Sequence, residues 1–153
     1  MILEVQNLYT SYGLSQILFG ISLAVHECEC VALLGRNGVG KTTTLRSIMG
    51  LTPPQQGEIR YKEHNITGLP AYRVAKLGIG FVPEDRRIFP GLTVRENLDV
   101  ARKAPASPHG TVWTIERVYD IFPVLARLDA RKGGYLSGGE QQMLTIGRTL
   151  MGN

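Results

Sequence analysis

Apolar positions form short runs and alternations in the first half of the chain and recur at helical spacing in the second. Leu3 to Leu8 reads as a short strand. Ile17, Phe19, Ile21, Leu23 and Val25 alternate with other residues, the period of two that a strand with one buried face requires. Cys30 to Leu34 is a continuous apolar run and predicts a strand buried on both faces, as in parallel sheets; Ile79 to Val82 predicts a second. Gly57 to Tyr61 predicts a further strand. A helix is expected from Lys41 to about Met49, stopped by Gly50 and the Pro53-Pro54 pair. Another should start with Pro70 as its first residue and run to Leu77, with Gly78 as its stop. Thr93-Val94-Arg95-Glu96 has capping-box spacing and should open a third. Ile115, Val118, Tyr119 and Phe122 have helical spacing, as do the apolar residues Met143, Leu144, Ile146 and Leu150 after Glu140. Pro83 to Gly91 reads as a polar loop and Ala104 to Gly110 as a breaker-rich link. Together these elements predict one mixed α/β domain with a helical appendage.

Composition narrows the picture modestly. The 153 residues suffice for one domain with a core, and 43% hydrophobic with 20% charged residues is the balance of an ordinary soluble globular protein. The 18 glycines point to tight turns or close backbone approaches to a ligand. A net charge of +4, scattered along the chain, describes a solvated surface and makes no case for nucleic acid. No apolar run approaches the roughly 20 residues that cross a bilayer. The N-terminus lacks a basic stretch followed by an apolar one, so a cytosolic protein is expected, reaching any membrane through another subunit. Cys28 and Cys30 would share one face of a strand; no second pair completes a zinc site, and they read as reduced and structural.

The strongest chemical signal is Gly35-Arg36-Asn37-Gly38-Val39-Gly40-Lys41-Thr42, which matches G-x-x-x-x-G-K-[ST] without a gap. The glycines let backbone N–H groups turn inward around phosphates, and the following helix directs its positive end at them. Lys41 would place its ammonium near the outer phosphates, and the Thr42 hydroxyl would coordinate Mg²⁺. The nucleotide-binding candidates here run from Gly35 through Thr42 to Thr43.

A second stretch, Leu136-Ser137-Gly138-Gly139-Glu140-Gln141-Gln142, is a glycine turn opening a helix, with Ser137 and Glu140 spaced as a capping box. Adjacent glycines there present backbone N–H groups at a helix N-terminus, a second anion site. Paired with the Lys41 loop, it resembles the signature motif of ATP-binding cassette (ABC) ATPases. In that family two nucleotide-binding domains face each other head to tail. The resemblance implies that Ser137, Gly138 and Gly139 contact the γ-phosphate of an ATP bound to a partner subunit, with Gln141 a further candidate beside them. Lys41, Ser137 and Gly139 would be the catalytic contributors, stabilising the transferring phosphoryl group. Tyr12 sits where the family stacks an aromatic on adenine, and Tyr9 is nearby. Glu84 stands where the family keeps a glutamine that contacts Mg²⁺ and couples to transmembrane subunits. A carboxylate also binds Mg²⁺, and a solvated loop is the other reading of Glu84 and Asp85.

Within the family, Val82 to Pro90, Leu92 to Leu98, Val118 to Pro123 and Gly138 to Arg148 are similar to the ATP-binding subunit of branched-chain amino acid importers, where glutamate at the Glu84 position is familiar. The resemblance runs from Leu3 to the last residue. Urea importer subunits share much of it and remain an alternative. Cys28 departs from it, standing where the family usually has a turn glycine. The fold implied is a P-loop NTPase of ABC type: a RecA-like core with an antiparallel β subdomain and a helical subdomain. Residues 1–92 would hold the β subdomain and phosphate-loop core, and residues 93–153 the helical subdomain. The implied ligands are ATP and Mg²⁺. The implied partners are permease subunits, a second ATP-binding subunit and, indirectly, a periplasmic solute-binding protein, at the cytoplasmic face of the inner membrane.

Family members continue past the position of Asn153 with core strands, one ending in an aspartate and a catalytic glutamate, and then a switch histidine. Asp120, Asp129, His26, His64 and His109 are not placed to replace them. The isolated chain is therefore expected to bind without turning over, and to be marginally stable because its two buried strands would lack neighbours. A non-hydrolysing nucleotide-binding fragment is the alternative reading. A soluble ABC ATPase acting on nucleic acid would show basic linkers or tandem cassettes, and a P-loop GTPase would show Asn-Lys-x-Asp; neither is present.

Overall fold

Shifts of register shape the first sheet. In β1 (Leu3–Tyr12) the buried positions are Val5, then Leu8 and Thr10, so the inward parity switches once. The switch falls at Asn7, whose φ of 47° places it in the left-handed region and whose N–H is held by Ser22 Oγ at 2.9 Å. Asparagine tolerates that region better than most residues. β2 (Ser15–Val25) returns antiparallel after the turn at Gly13-Leu14, running from Tyr12↔Ser15 to Leu3↔Val25. β3 (Gln56–Tyr61) pairs with the other edge of β1, and the short β4 (His64–Asn65) completes the order β2-β1-β3-β4. A Cβ on Gly57 would come 2.4 Å from the Asn7 carbonyl oxygen, so the bulge requires glycine opposite it.

The computed structural model describes residues 1–103 and 112–152. The Ala104–Gly110 link lies outside the described residues, as does His109. The chain divides into two compact units, Met1–Ile79 and Gly80–Asn153.

In the first unit, α1 (Lys41–Ile48) packs on β1 and β2 through Thr43, Thr44, Ser47 and Ile48. Its buried hydroxyls are satisfied: Thr44 Oγ1 donates to the Gly40 carbonyl at 2.9 Å, and Ser47 and Thr10 share a bond at 3.0 Å. Leu8, Leu18, Ile59, Ile66 and Val74 fill the core. α2 (Ala71–Lys76) follows Pro70, which is the N-cap and not the first helical residue; Gly78, at φ 96°, lies just past its end.

In the second unit, α3 (Val94–Ala101), α4 (Ile115–Ile121), α5 (Pro123–Arg127), a 3₁₀ turn (Gly133–Tyr135) and α6 (Gly138–Leu150) surround Leu98, Ile115, Val118, Leu125 and Leu144. Thr93 opens α3 with the full capping box: its hydroxyl accepts from Glu96 N–H, and Glu96 accepts from Thr93 N–H at 2.7 Å. Buried Asn97 bonds Phe89 at both its N–H and its carbonyl, and also donates to the Leu92 and Thr93 carbonyls. One side chain thus fixes the loop that leads into α3. No helix among the described residues is long and apolar enough to cross a membrane.

Four expectations need correction. Neither Cys30–Leu34 nor Ile79–Val82 is a strand. A parallel strand takes its hydrogen bonds from neighbours, and among the described residues neither segment has one; Leu34 is 89% exposed. The stripe Ile17, Phe19, Ile21, Leu23, Val25 is not the buried face of β2. Leu18 is buried and Phe19 is 68% exposed, because the register shifts at Gly20, where φ is 76°. The cysteines share no strand face: Cys28 sits in a turn at φ 59°, and both thiols are free and exposed.

Candidate functional site

The phosphate loop is built by its glycines and by one lysine. Gly35, Gly38 and Gly40 all have positive φ, at 152°, 83° and 98°. At Gly40 a side chain is also excluded by space, since a Cβ would come 2.6 Å from Leu18 Cδ2. Gly40 is the N-cap of α1 and brings no side-chain cap, and no acidic residue stands in the first turn. The positive end of α1 therefore faces the loop without a carboxylate to neutralise it. Lys41 Nζ folds back over the loop and donates to the Gly35 and Arg36 carbonyls at 2.8 and 2.7 Å. Thr42 is exposed beside it and Thr43 is buried beneath, while Asn37 and Val39 lie on the exposed rim. A cation and a helix N-terminus converge here, a geometry suited to a polyanion.

Tyr12 ends β1 and is 47% exposed. Its hydroxyl meets Thr52 Oγ1 at 3.4 Å, and Arg46 Nε donates to the same Thr52 oxygen at 3.4 Å. The Thr52 bond, aided by the Arg46 charge, draws the Tyr12 pKa below that of an ordinary tyrosine. The ring is tethered at its polar tip while much of its surface stays accessible. Sequence reading missed Thr52 and Arg46 because only the fold brings residues 12, 46 and 52 together.

Ser137 is the N-cap of α6, and its capping box is complete. Ser137 N–H donates to Glu140 Oε2 at 2.7 Å, and Ser137 Oγ accepts from Glu140 N–H at 3.3 Å. The bond from the Ser137 backbone N–H, helped by the Ser137 hydroxyl, holds the Glu140 carboxyl below the usual carboxylate pKa. Gly138 and Gly139 are the first two residues of the helix, where backbone N–H groups have no intrahelical acceptor, and both are exposed. Gln141 is turned inward: Nε2 donates to the Gly133 and Leu136 carbonyls at 3.3 Å each, and Oε1 accepts from Arg86 Nη1 at 3.3 Å. Sequence reading gave Arg86 no role.

Glu84 is exposed in a turn of the second unit. Among the described residues no group of three or more His, Cys, Asp or Glu side chains is arranged to hold a metal ion. Mg²⁺ does not require such a group, since it is commonly held by one or two protein oxygens together with phosphates. The Thr42 hydroxyl, one residue beyond the loop lysine, is chemically suited to that.

A family model described as ABC transporter matches residues 18–153. The high-affinity branched-chain amino acid transport ATP-binding protein BraG of Pseudomonas aeruginosa is 39% identical over 149 residues, covering 97% of this chain and 64% of the relative. The lipopolysaccharide export system ATP-binding protein LptB of Acidithiobacillus ferridurans is 35% identical over 150 residues, covering 97% of this chain and 62% of its own length. A dimeric post-hydrolysis structure of an ATP-binding cassette bound to ADP and Pi superposes with a TM-score of 0.80 at 26% identity, over 99% of this chain and 70% of that one. The chain thus spans a little under two thirds of the curated relatives it matches. The antiparallel sheet with its phosphate loop and the helical unit with its glycine turn have the ABC ATPase fold, and the chain belongs to the ABC transporter family.

Proposed function

We propose that this chain is the ATP-binding part of an ABC importer subunit, in which ATP binding and hydrolysis drive solute uptake. The observation that carries the reading is the uncapped, carboxylate-free N-terminus of α1 beside the Lys41 ammonium. The residues from Gly35 to Thr43 take the phosphates: backbone N–H groups wrap them, and Lys41 exchanges its two carbonyl partners for phosphate oxygens, a stronger charge-assisted contact. Tyr12 supports the adenine on its accessible face. Thr42 holds Mg²⁺, which neutralises charge on the outer phosphates; Glu84 is the other oxygen donor carried forward from the family resemblance.

Ser137, Gly138 and Gly139 act on a nucleotide held by a second ATP-binding subunit, presenting one hydroxyl and two backbone donors to its γ-phosphate. Gln141 supports them from behind. Lys41 and the partner's glycine turn then stabilise the charge that develops as the phosphoryl group transfers. The dimeric state of the ADP-bound cassette supports such pairing. Branched-chain amino acids are the proposed solutes, supported by the name of the Pseudomonas relative. Permease subunits carry the solute, and this subunit docks on them from the cytoplasmic side.

The test is a calorimetric titration of Mg²⁺-ATP onto residues 1–153, with Lys41→Ala alongside and phosphate release followed in parallel. Saturable binding that weakens at least about tenfold in the variant is expected. Equal affinity in the two chains, or none in a folded wild type, would refute the assignment. Phosphate release decides between a hydrolysing cassette and a nucleotide-binding segment without turnover.

A further inference from the structure

One face of α6 is fastened to the segment that precedes α3. Gln141, Thr145 and Thr149 recur every four residues and form a single stripe. Thr149 Oγ1 donates to the Phe81 carbonyl at 3.5 Å, and Thr145 Oγ1 to the Arg86 carbonyl at 2.8 Å. Arg148, beside the stripe, donates from Nη1 to the Arg87 carbonyl at 2.6 Å and lies 4.5 Å from the centre of the Phe89 ring. At the top of the ladder, Arg86 Nη1 donates to Gln141 Oε1 at 3.3 Å, while Gln141 Nε2 holds the Leu136 carbonyl, one residue before Ser137. The same guanidinium rests on the glycine turn, since a Cβ on Gly138 would lie 3.2 Å from one of its nitrogens.

We propose that Arg86 is a positioning residue that sets the Ser137-Gly138-Gly139 turn through Gln141, an inference that rests on the function proposed above. Two features of Arg86 oppose simple stability. Its φ of 59° lies in the region where glycine is easier to accommodate. Its positive charge sits by the positive end of α6, where the helix dipole disfavours a cation. Glycine at this position would ease the first and remove the second. It would also remove the bond that joins the 81–87 segment to the Gln141 amide. The fork of Arg86 and the amide of Gln141 form a relay of two side chains from the loop to the turn. A change in the backbone around Arg86 therefore moves the donors that face the γ-phosphate. The absence of a Cβ at Gly138 lets the guanidinium approach that closely.

The test uses the whole 153-residue chain as wild type, Arg86→Gly and Arg86→Lys. Amide hydrogen exchange is read at Glu140 and Gln141, whose N–H groups bond Ser137. Arg86→Gly is expected to leave the melting midpoint unchanged while exchange at these two amides rises about tenfold, the scale of one lost charge-assisted bond. Arg86→Lys keeps the charge without the fork and should show the same rise. ATP-dependent association of two copies should weaken by a similar factor in both variants. Unchanged exchange in Arg86→Gly, or full rescue by lysine, overturns the inference. A fall in midpoint with faster exchange in every helix also overturns it, as the role would then be structural. A wild type that binds no Mg²⁺-ATP defeats the functional reading instead, and exchange at Glu140 and Gln141 still decides whether Arg86 sets the turn.

Discussion

At the scale of single residues, the backbone carries strain that the side chains do not require. Cys28 lies at φ 59° in the turn closed by Glu29 N–H on the His26 carbonyl, and its thiol is free and exposed. A left-handed conformation disfavours an L-residue by roughly 1–2 kcal/mol, and glycine escapes most of this. Glycine is more flexible when unfolded, which offsets part of the gain. Cys28→Gly is expected to stabilise the chain by about 0.5–1 kcal/mol, read as a higher urea midpoint at unchanged slope. A lower midpoint would show that the thiol contributes a contact. The departure at Cys28 was visible in the sequence, because the resemblance places a turn glycine there; the strain itself was not.

At the scale of elements, the helical unit is held at two N-termini by matching devices. Thr93 with Glu96, and Ser137 with Glu140, each complete a capping box, and each lowers its glutamate's pKa through the bond to the N-cap backbone. A carboxyl with a depressed folded pKa contributes stability that is present above its unfolded value, near 4.5, and is lost as pH falls through the folded value. The α3 and α6 ends should therefore weaken as the solution is acidified below about pH 4.5. Replacing both glutamates with glutamine keeps a bonding side chain but removes the titration, so the acid dependence of helix melting should flatten. An identical acid limb in the double variant would show that other carboxyls govern it. Both boxes were legible in the sequence because a cap depends on residues three apart. The burial of β2 was not legible, because bulges at Asn7 and Gly20 change which face each residue joins.

At the scale of the molecule, large apolar side chains of the first unit remain exposed. Leu34 is 89% exposed and Val31 40%, while Leu14 and Phe19 project from the β1–β2 hairpin, Phe19 at 68% exposure on an edge strand. Such a combination of apolar surface and an open strand edge favours association between copies. Purified residues 1–153 should show concentration-dependent light scattering, reduced by Phe19→Lys and by Leu34→Ser. Scattering that neither variant alters would place the association elsewhere. These substitutions act outside the buried cores of both units, so the melting midpoint should move by less than about 0.5 kcal/mol equivalent.

The sequence by itself determined the local structure. The Gly35–Thr42 loop, the helix after it, the two capping boxes and the glycine turn at Gly138-Gly139 depend on residues within a few positions of one another, and all were formed as read. Tertiary structure decided what depends on partners distant in the chain. Cys30–Leu34 and Ile79–Val82 have the apolar runs of buried strands, yet hydrogen-bonded neighbours make a strand, and none is present among the described residues. Tyr12 gained Thr52 as an anchor across 40 positions, and Arg86 met Gln141 across 55. Neither pairing has a local signature, because a side-chain bond of that reach is set by how the chain packs and not by the spacing of residues along it.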